Sequence, residues 1–151
     1  MDLTVAHLAD DILLVALHPA REELEAEAVF GTGAKVLVER AASLDGAFFQ
    51  GLPYIMIGSL HAFRPPMFGG SPEKSLASFE AAFAVGGDSF LLSKYFYARY
   101  YLYRIQDGDE FRRVLQGVVD APDASENPYR LLNLIARKRS ATLMGEADDL
   151  F

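Results

Sequence analysis

Five of the seven tyrosines in this 151-residue chain fall between Tyr95 and Tyr103. Lys94, Tyr97, Tyr101 and Arg104 are spaced three, four, three, which puts them on one face of a helix. Phenols supply broad contact area with a polar tip, and an ammonium and a guanidinium can fix an anionic group. The chemistry on offer is recognition, a groove for a ligand or a partner. Packing is the competing account. Leu91, Tyr95, Ala98, Leu102 and Ile105 form a neighbouring stripe, and Leu92, Phe96, Tyr100 and Tyr103 a third. Aromatic stripes at helical spacing are ordinary core, and long cations snorkel from it.

Other constellations offer less. His7, Asp10 and Asp11 share a possible helix face, but two carboxylates and an imidazole without further ligands read as a solvated helix start. His18 precedes Pro19 and reads as a loop residue, whereas His61 lies in an apolar stripe and reads as packed. The absence of cysteine excludes disulfides, thiolate nucleophiles and Cys-ligated zinc. Gly31-Thr32-Gly33, Gly69-Gly70 and Gly86-Gly87 read as turns, since no Gly-Lys-Ser/Thr follows any of them. There is no Gly-x-Ser-x-Gly elbow. The sequence therefore predicts no catalytic residue, metal or cofactor.

Charge narrows the partners. Fourteen basic and 21 acidic side chains give a net charge of −7, a poor match to nucleic acid or anionic lipid. The one basic cluster, Arg137-Lys138-Arg139, sits late in an expected helix, where cations suit the helix dipole. The start, Met1 to Leu17, carries Asp2, Asp10 and Asp11 and no basic run, unlike a secretory signal. The longest mostly apolar run, Leu52 to Phe63, is about half the ~20 residues a membrane span needs.

Helices must position these residues, because helix punctuation is strong and strand signals are weak. Ser71-Pro72-Glu73 supplies an N-cap, a proline in the first turn and an acid beside it. Asn127-Pro128 repeats the pattern, Asp88-Ser89 and Asp107-Gly108-Asp109 offer two more caps, and Gly86-Gly87 ends an apolar run. The expected helices are Thr4–Leu17, Glu22–Phe30, Ala34–Ala42, Leu52–Phe63, Pro72–Val85, Phe90–Ile105, Asp109–Val119 and Pro128–Met144. Ala121 to Glu126 reads as a polar loop. Asn133, flanked by Leu132 and Leu134, is expected to be buried and bonded to a neighbouring backbone.

A faint repeat runs through these helices. Tyr54, Ile57 and His61 are followed by Ser75, Phe79 and Ala82; Tyr95, Ala98 and Leu102 by Phe111, Leu115 and Val118. Each triplet lies on one helix face, and two such helices joined by a short turn make the unit of tetratricopeptide-like stacks. Residues Arg64 to Gly70 would be an insertion in the first turn. The expectation is a single all-α domain over residues 1–151, tetratricopeptide-like, with seven or eight helices in stacked antiparallel pairs. A plain helical bundle is the other layout.

From Ala34 onward the chain resembles the T-components of tripartite ATP-independent periplasmic (TRAP) transporters. The residues that carry the resemblance are Arg64-Pro65-Pro66-Met67-Phe68-Gly69-Gly70, then Pro72-Glu73-Lys74-Ser75 through Phe79-Glu80-Ala81-Ala82. Lys94-Tyr95-Phe96-Tyr97-Ala98, Gln106-Asp107 with Phe111, Leu131-Leu132-Asn133-Leu134-Ile135-Ala136 and the ending Asp148-Asp149-Leu150-Phe151 follow in the family's order. The resemblance implies an all-α, tetratricopeptide-like fold and a periplasmic, often lipid-anchored protein. It implies pairing with the substrate-binding P-component and a homotrimer with a central pore. The sequence shows no signal peptide or lipidated cysteine and matches the family poorly over 1–33; the expectation is either a truncated or processed form or a shortened relative that stays in the cytoplasm. The leading expectation is a non-enzymatic accessory protein that docks the P-component and holds a small, partly hydrophobic organic acid. A general helical-repeat adaptor, unconnected with transport, is the other reading.

Overall fold

The computed structural model describes residues 32–151, and every regular element among them is helical. Helix α1 spans Thr32–Asp45, α2 Phe48–Phe63 and α3 Pro72–Gly86. Helix α4 occupies 92–105 in three registers: α-helical at Leu92–Phe96, π-helical at Tyr97–Leu102 and α-helical again at Tyr103–Ile105. Helix α5 is Gly108–Asp120, α6 Arg130–Gly145 and α7 Ala147–Leu150. Tight 3₁₀ turns fill Pro66–Phe68 and Gly87–Ser89. The all-α class expected from the sequence is what the chain adopts. The helices expected at Thr4–Leu17 and Glu22–Phe30, with His7, Asp10, Asp11 and His18, lie outside the described residues.

The termini follow side-chain chemistry. Ser71 Oγ accepts the Lys74 N–H at 3.2 Å while its hydroxyl donates to Glu73 at 2.8 Å, so α3 starts where the sequence puts it. Asp107 Oδ1 accepts the Glu110 N–H at 3.0 Å and caps α5. Two expected caps differ. Asp88-Ser89 lies in the 3₁₀ turn, and Asp88 takes the Lys94 ammonium at 2.5 Å instead of a backbone N–H. Asn127 Oδ1 accepts the Tyr129 N–H at 2.8 Å, closing an Asx turn, so α6 begins at Arg130.

Two neighbouring sets of helices run antiparallel, α2 with α3 and α5 with α6–α7. Between α2 and α3, His61 O accepts the Ser71 N–H, Gly58 O accepts the Ser75 hydroxyl at 2.7 Å, and Gly51 lies against Ala82. Partners thus climb in one helix as they descend in the other. Between α5 and α6–α7, Arg112 reaches Asp148 at 2.9 Å and Arg137 reaches the Ala121 carbonyl, again in opposite order. The repeat stripes mostly face inward: Ser75, Phe79, Ala82, Tyr95, Ala98, Leu102, Phe111, Leu115 and Val118 are all buried. The first triplet is weaker, because Tyr54 and Ile57 are only half-buried and Leu52, Ile55, Met56 and Leu60 fill the core in their place.

Phe49, Gln50 and Gly51 all take left-handed φ, at 46°, 58° and 82°, so the right-handed run of α2 begins after them and Pro53 falls in its first turn. Such a conformation costs a non-glycine residue roughly 1–2 kcal/mol. The turn is held by contacts of its own. The Phe49 ring packs edge-on against Phe90 and Tyr129, and Gln50 Nε2 donates to Tyr129 Oη at 3.1 Å.

Asn133 is half-buried and doubly bonded. Its Oδ1 accepts the Leu91 N–H at 3.0 Å and its Nδ2 donates to Ser89 O at 2.9 Å. One amide therefore ties α6 to the approach into α4.

Candidate functional site

The π-helical turn of α4 arises where Tyr103 N–H reaches back to Ala98 O, five residues away. Single π turns inside α-helices occur often at functional sites. Each extra residue in a turn rotates everything downstream by about 100°. The four-residue face therefore does not survive intact. Tyr97 and Tyr101 stay together, with rings stacked at 5.2 Å, but Arg104 lies past the π turn and is exposed.

Lys94 and Tyr97 line a groove of about 390 Å³ between α3, α4 and α5. Leu76, Glu80 and Phe83 form its α3 wall; Glu110, Arg113, Val114 and Gly117 form its α5 wall. Both walls keep helical period, i, i+4, i+7 on one side and i, i+3, i+4, i+7 on the other. Tyr101 does not line the groove. It is 9% exposed and backs the Tyr97 ring, while Phe79 and Phe83 meet that ring edge-on at 5.5 and 5.4 Å. Of the four residues singled out in the sequence, two line the cavity, one supports it and one lies outside its lining.

The wall residues on α3 and α5 escaped the sequence reading. Their period was present, but Glu80, Glu110 and Arg113 read as a solvated surface until the facing helices are in place. Gly117 matters for room: a Cβ there would meet nothing within 4 Å.

The electrostatics are specific. Lys94 is held by Asp88, whose carboxyl the ammonium's hydrogen bond keeps below its ordinary pKa. Arg113 forks onto Glu110, with Nε at 2.6 Å from Oε2 and a second nitrogen on Oε1, which lowers the Glu110 pKa. Burial, then the neighbouring Tyr101, Glu110, Asp107 and Glu80, push the Tyr97 phenol up to about 12. Burial likewise raises Tyr101. A size of a few hundred Å³ with an apolar floor and a few convergent polar groups is what small binding sites share.

Residues 18–151 match the family model described as TRAP transporter T-component. The chain belongs to that family. The match extends back to residue 18 the resemblance that the motifs carry from Ala34. No curated protein matches the chain. In this T-component Lys94-Tyr95-Phe96-Tyr97-Ala98 belongs to the helix with the π turn. The Gln-Asp step is the joint after it: Gln106 takes the left-handed C′ position at φ 59°, and Asp107 caps the next helix. The Met67-Phe68 turn presents both side chains to solvent, 82% and 67% exposed. His61, buried as expected, braces that turn through Nδ1, 3.1 Å from Gly69 O. Among the described residues of this T-component, no helix is long and apolar enough to cross a membrane.

Proposed function

We propose that this T-component is a non-enzymatic accessory protein of TRAP-type solute uptake that docks the substrate-binding P-component through the α3–α4–α5 groove. The observation that carries the reading is the groove itself: an aromatic floor behind Tyr97, rimmed by two ion pairs and seated at the π turn of α4. A rigid aromatic centre with a charged rim is the anatomy of a protein-binding hot spot. The periplasmic location and the homotrimer rest on family resemblance alone.

Binding of the purified chain to TRAP P-components, by calorimetry or surface capture, tests the docking. Gly117→Leu, which fills open space at the groove, should weaken the complex at least tenfold while leaving the fold intact. Undiminished binding by that variant removes the groove from the docking surface. Light scattering tests the trimer, since a monomeric mass at micromolar concentration rules it out.

A further inference from the structure

Among the described residues, both cations that line the groove already face a carboxylate. Lys94 already holds Asp88 at 2.5 Å and Arg113 already holds Glu110. The unmatched group is a carboxylate. Glu80 lines the groove and makes no ion pair or hydrogen bond among the described residues. Asp88, Glu80 and Glu110 stand against Lys94 and Arg113, which leaves one negative charge uncompensated beside the cavity. The Tyr97 phenol is raised by burial foremost, and Tyr101, Glu110, Asp107 and Glu80 add to that shift. Its hydroxyl has no hydrogen-bond partner among the described residues and can accept from a donor. Leu76, Phe83 and Val114 supply apolar surface along the cavity, and Gly117 leaves space.

We infer that the groove receives an organic cation, an ammonium or guanidinium on an apolar stem, with Glu80 as counter-ion and Tyr97 beside it. That is the chemistry of a lysine or arginine side chain, and the occupant is such a side chain presented by the docked partner. The stem lies along Leu76, Phe83 and Val114, and the charged head meets Glu80. A cation near a tyrosine ring gains further from the ring's quadrupole. This inference rests on the docking reading for its source and on the groove's charges for its chemistry.

A matched pair of probes separates charge from shape: hexylammonium and hexanoate, titrated into the full chain and followed by amide chemical shifts of the groove. Hexylammonium should shift the signals of Glu80, Tyr97 and Gly117 and saturate, while hexanoate should not. Glu80→Gln should weaken hexylammonium about two- to fivefold, the scale of an exposed ion pair. Glu80 is exposed, and an unchanged melting temperature shows that the variant folds. Saturable hexanoate binding of equal strength, or hexylammonium binding indifferent to Glu80→Gln, overturns the inference. Hexylammonium should also displace a bound P-component. Simultaneous binding of both overturns the partner side chain as the source. A chain that binds hexylammonium through Glu80 yet docks no P-component refutes the docking reading, and with it that source.

Discussion

Helix α3 has two faces with opposite fates. Ser75, Phe79 and Ala82 face α2 and are each at zero exposure, with Ser75 bonded to Gly58 O and the Phe79 ring seated where Gly58 has no side chain. One step around the helix, Leu76, Glu80 and Phe83 face α4 and α5 across a space of about 390 Å³. The first seam is sealed by small residues opposite large ones. The second stays open, backed by aromatic rings, with one ion pair at the start of α4 and another along α5, and with open space where Gly117 has no side chain. The contrast separates residues that hold the fold from those left free to meet something else. Interiors are close-packed, so an unfilled seam on a well-packed helix marks where contact with another molecule is to be sought.

The hardest break falls on the residue shared by both seams. Phe79 is fully buried and its ring also meets Tyr97 and Phe83. Phe79→Ala should cost about 3–5 kcal/mol in denaturant unfolding and loosen the groove as well. Gly58→Val tests the sealed seam alone. Even a Cβ at Gly58 would lie 2.8 Å from the Phe79 ring, so the substitution should cost about 1–3 kcal/mol. If Gly58→Val is neutral, the seam has slack and the contrast between the two faces weakens.

Asn133→Leu acts on the open seam from behind. It removes an acceptor from the Leu91 N–H and a donor from Ser89 O, the residues that lead into α4. Stability should fall by about 1–3 kcal/mol in denaturant unfolding. The Lys94 and Tyr97 amide signals should move with it. Unchanged stability would show that α4 is anchored without this amide.

How legible each seam was in the sequence follows from the physics that builds it. The sealed face announces itself as a stripe, and Ser71-Pro72-Glu73 marks where its helix begins, because local capping needs no tertiary partner. Asp107 marks the helix at Asp109–Val119 in the same way, whereas Leu52–Phe63 is legible from its apolar run and carries no side-chain cap. The open face depends on what stands opposite. Lys94 and Tyr97 were found through tyrosine density, but Glu80, Glu110 and Arg113 look like any solvated surface until three helices converge. The displacement of Arg104 was not legible, since a π turn leaves no residue-type signature in Tyr97–Leu102. The left-handed run at Phe49 and Gln50 was equally hidden. Neither residue favours that conformation, and packing against Phe90 and Tyr129 imposes it.

A gentler change sharpens the contrast in the other direction. Gly117 sits inside α5 with open space around its missing Cβ. Gly117→Ala should stabilise the chain by about 0.5–1 kcal/mol through helix propensity alone. The same alanine on the sealed seam, at Gly58, should not stabilise. Measured melting temperatures moving together would erase the difference between the two faces.

The smallest expected effect is a pH dependence at the end of the sealed seam. His61 is buried on α2, and burial foremost, with Lys35 and Lys74 nearby, holds its pKa below the ordinary 6.5; Gly69 O and Glu39 oppose the shift. The unfolded chain therefore binds a proton at this site at higher pH than the folded chain does. The stabilisation is fully present above about 6.5 and is lost as pH falls through the depressed folded value. Melting temperature should decline between pH 7 and pH 5 in the wild-type chain. His61→Gln keeps a donor for Gly69 O and removes the titration, so its melting temperature should stay flat over the same range. Parallel curves for the two proteins would mean that some other group carries the decline. A wild-type curve that rises towards pH 5 would mean the imidazole is charged in the folded state, and the seam would then be less sealed at this end than the packing around Phe79 implies.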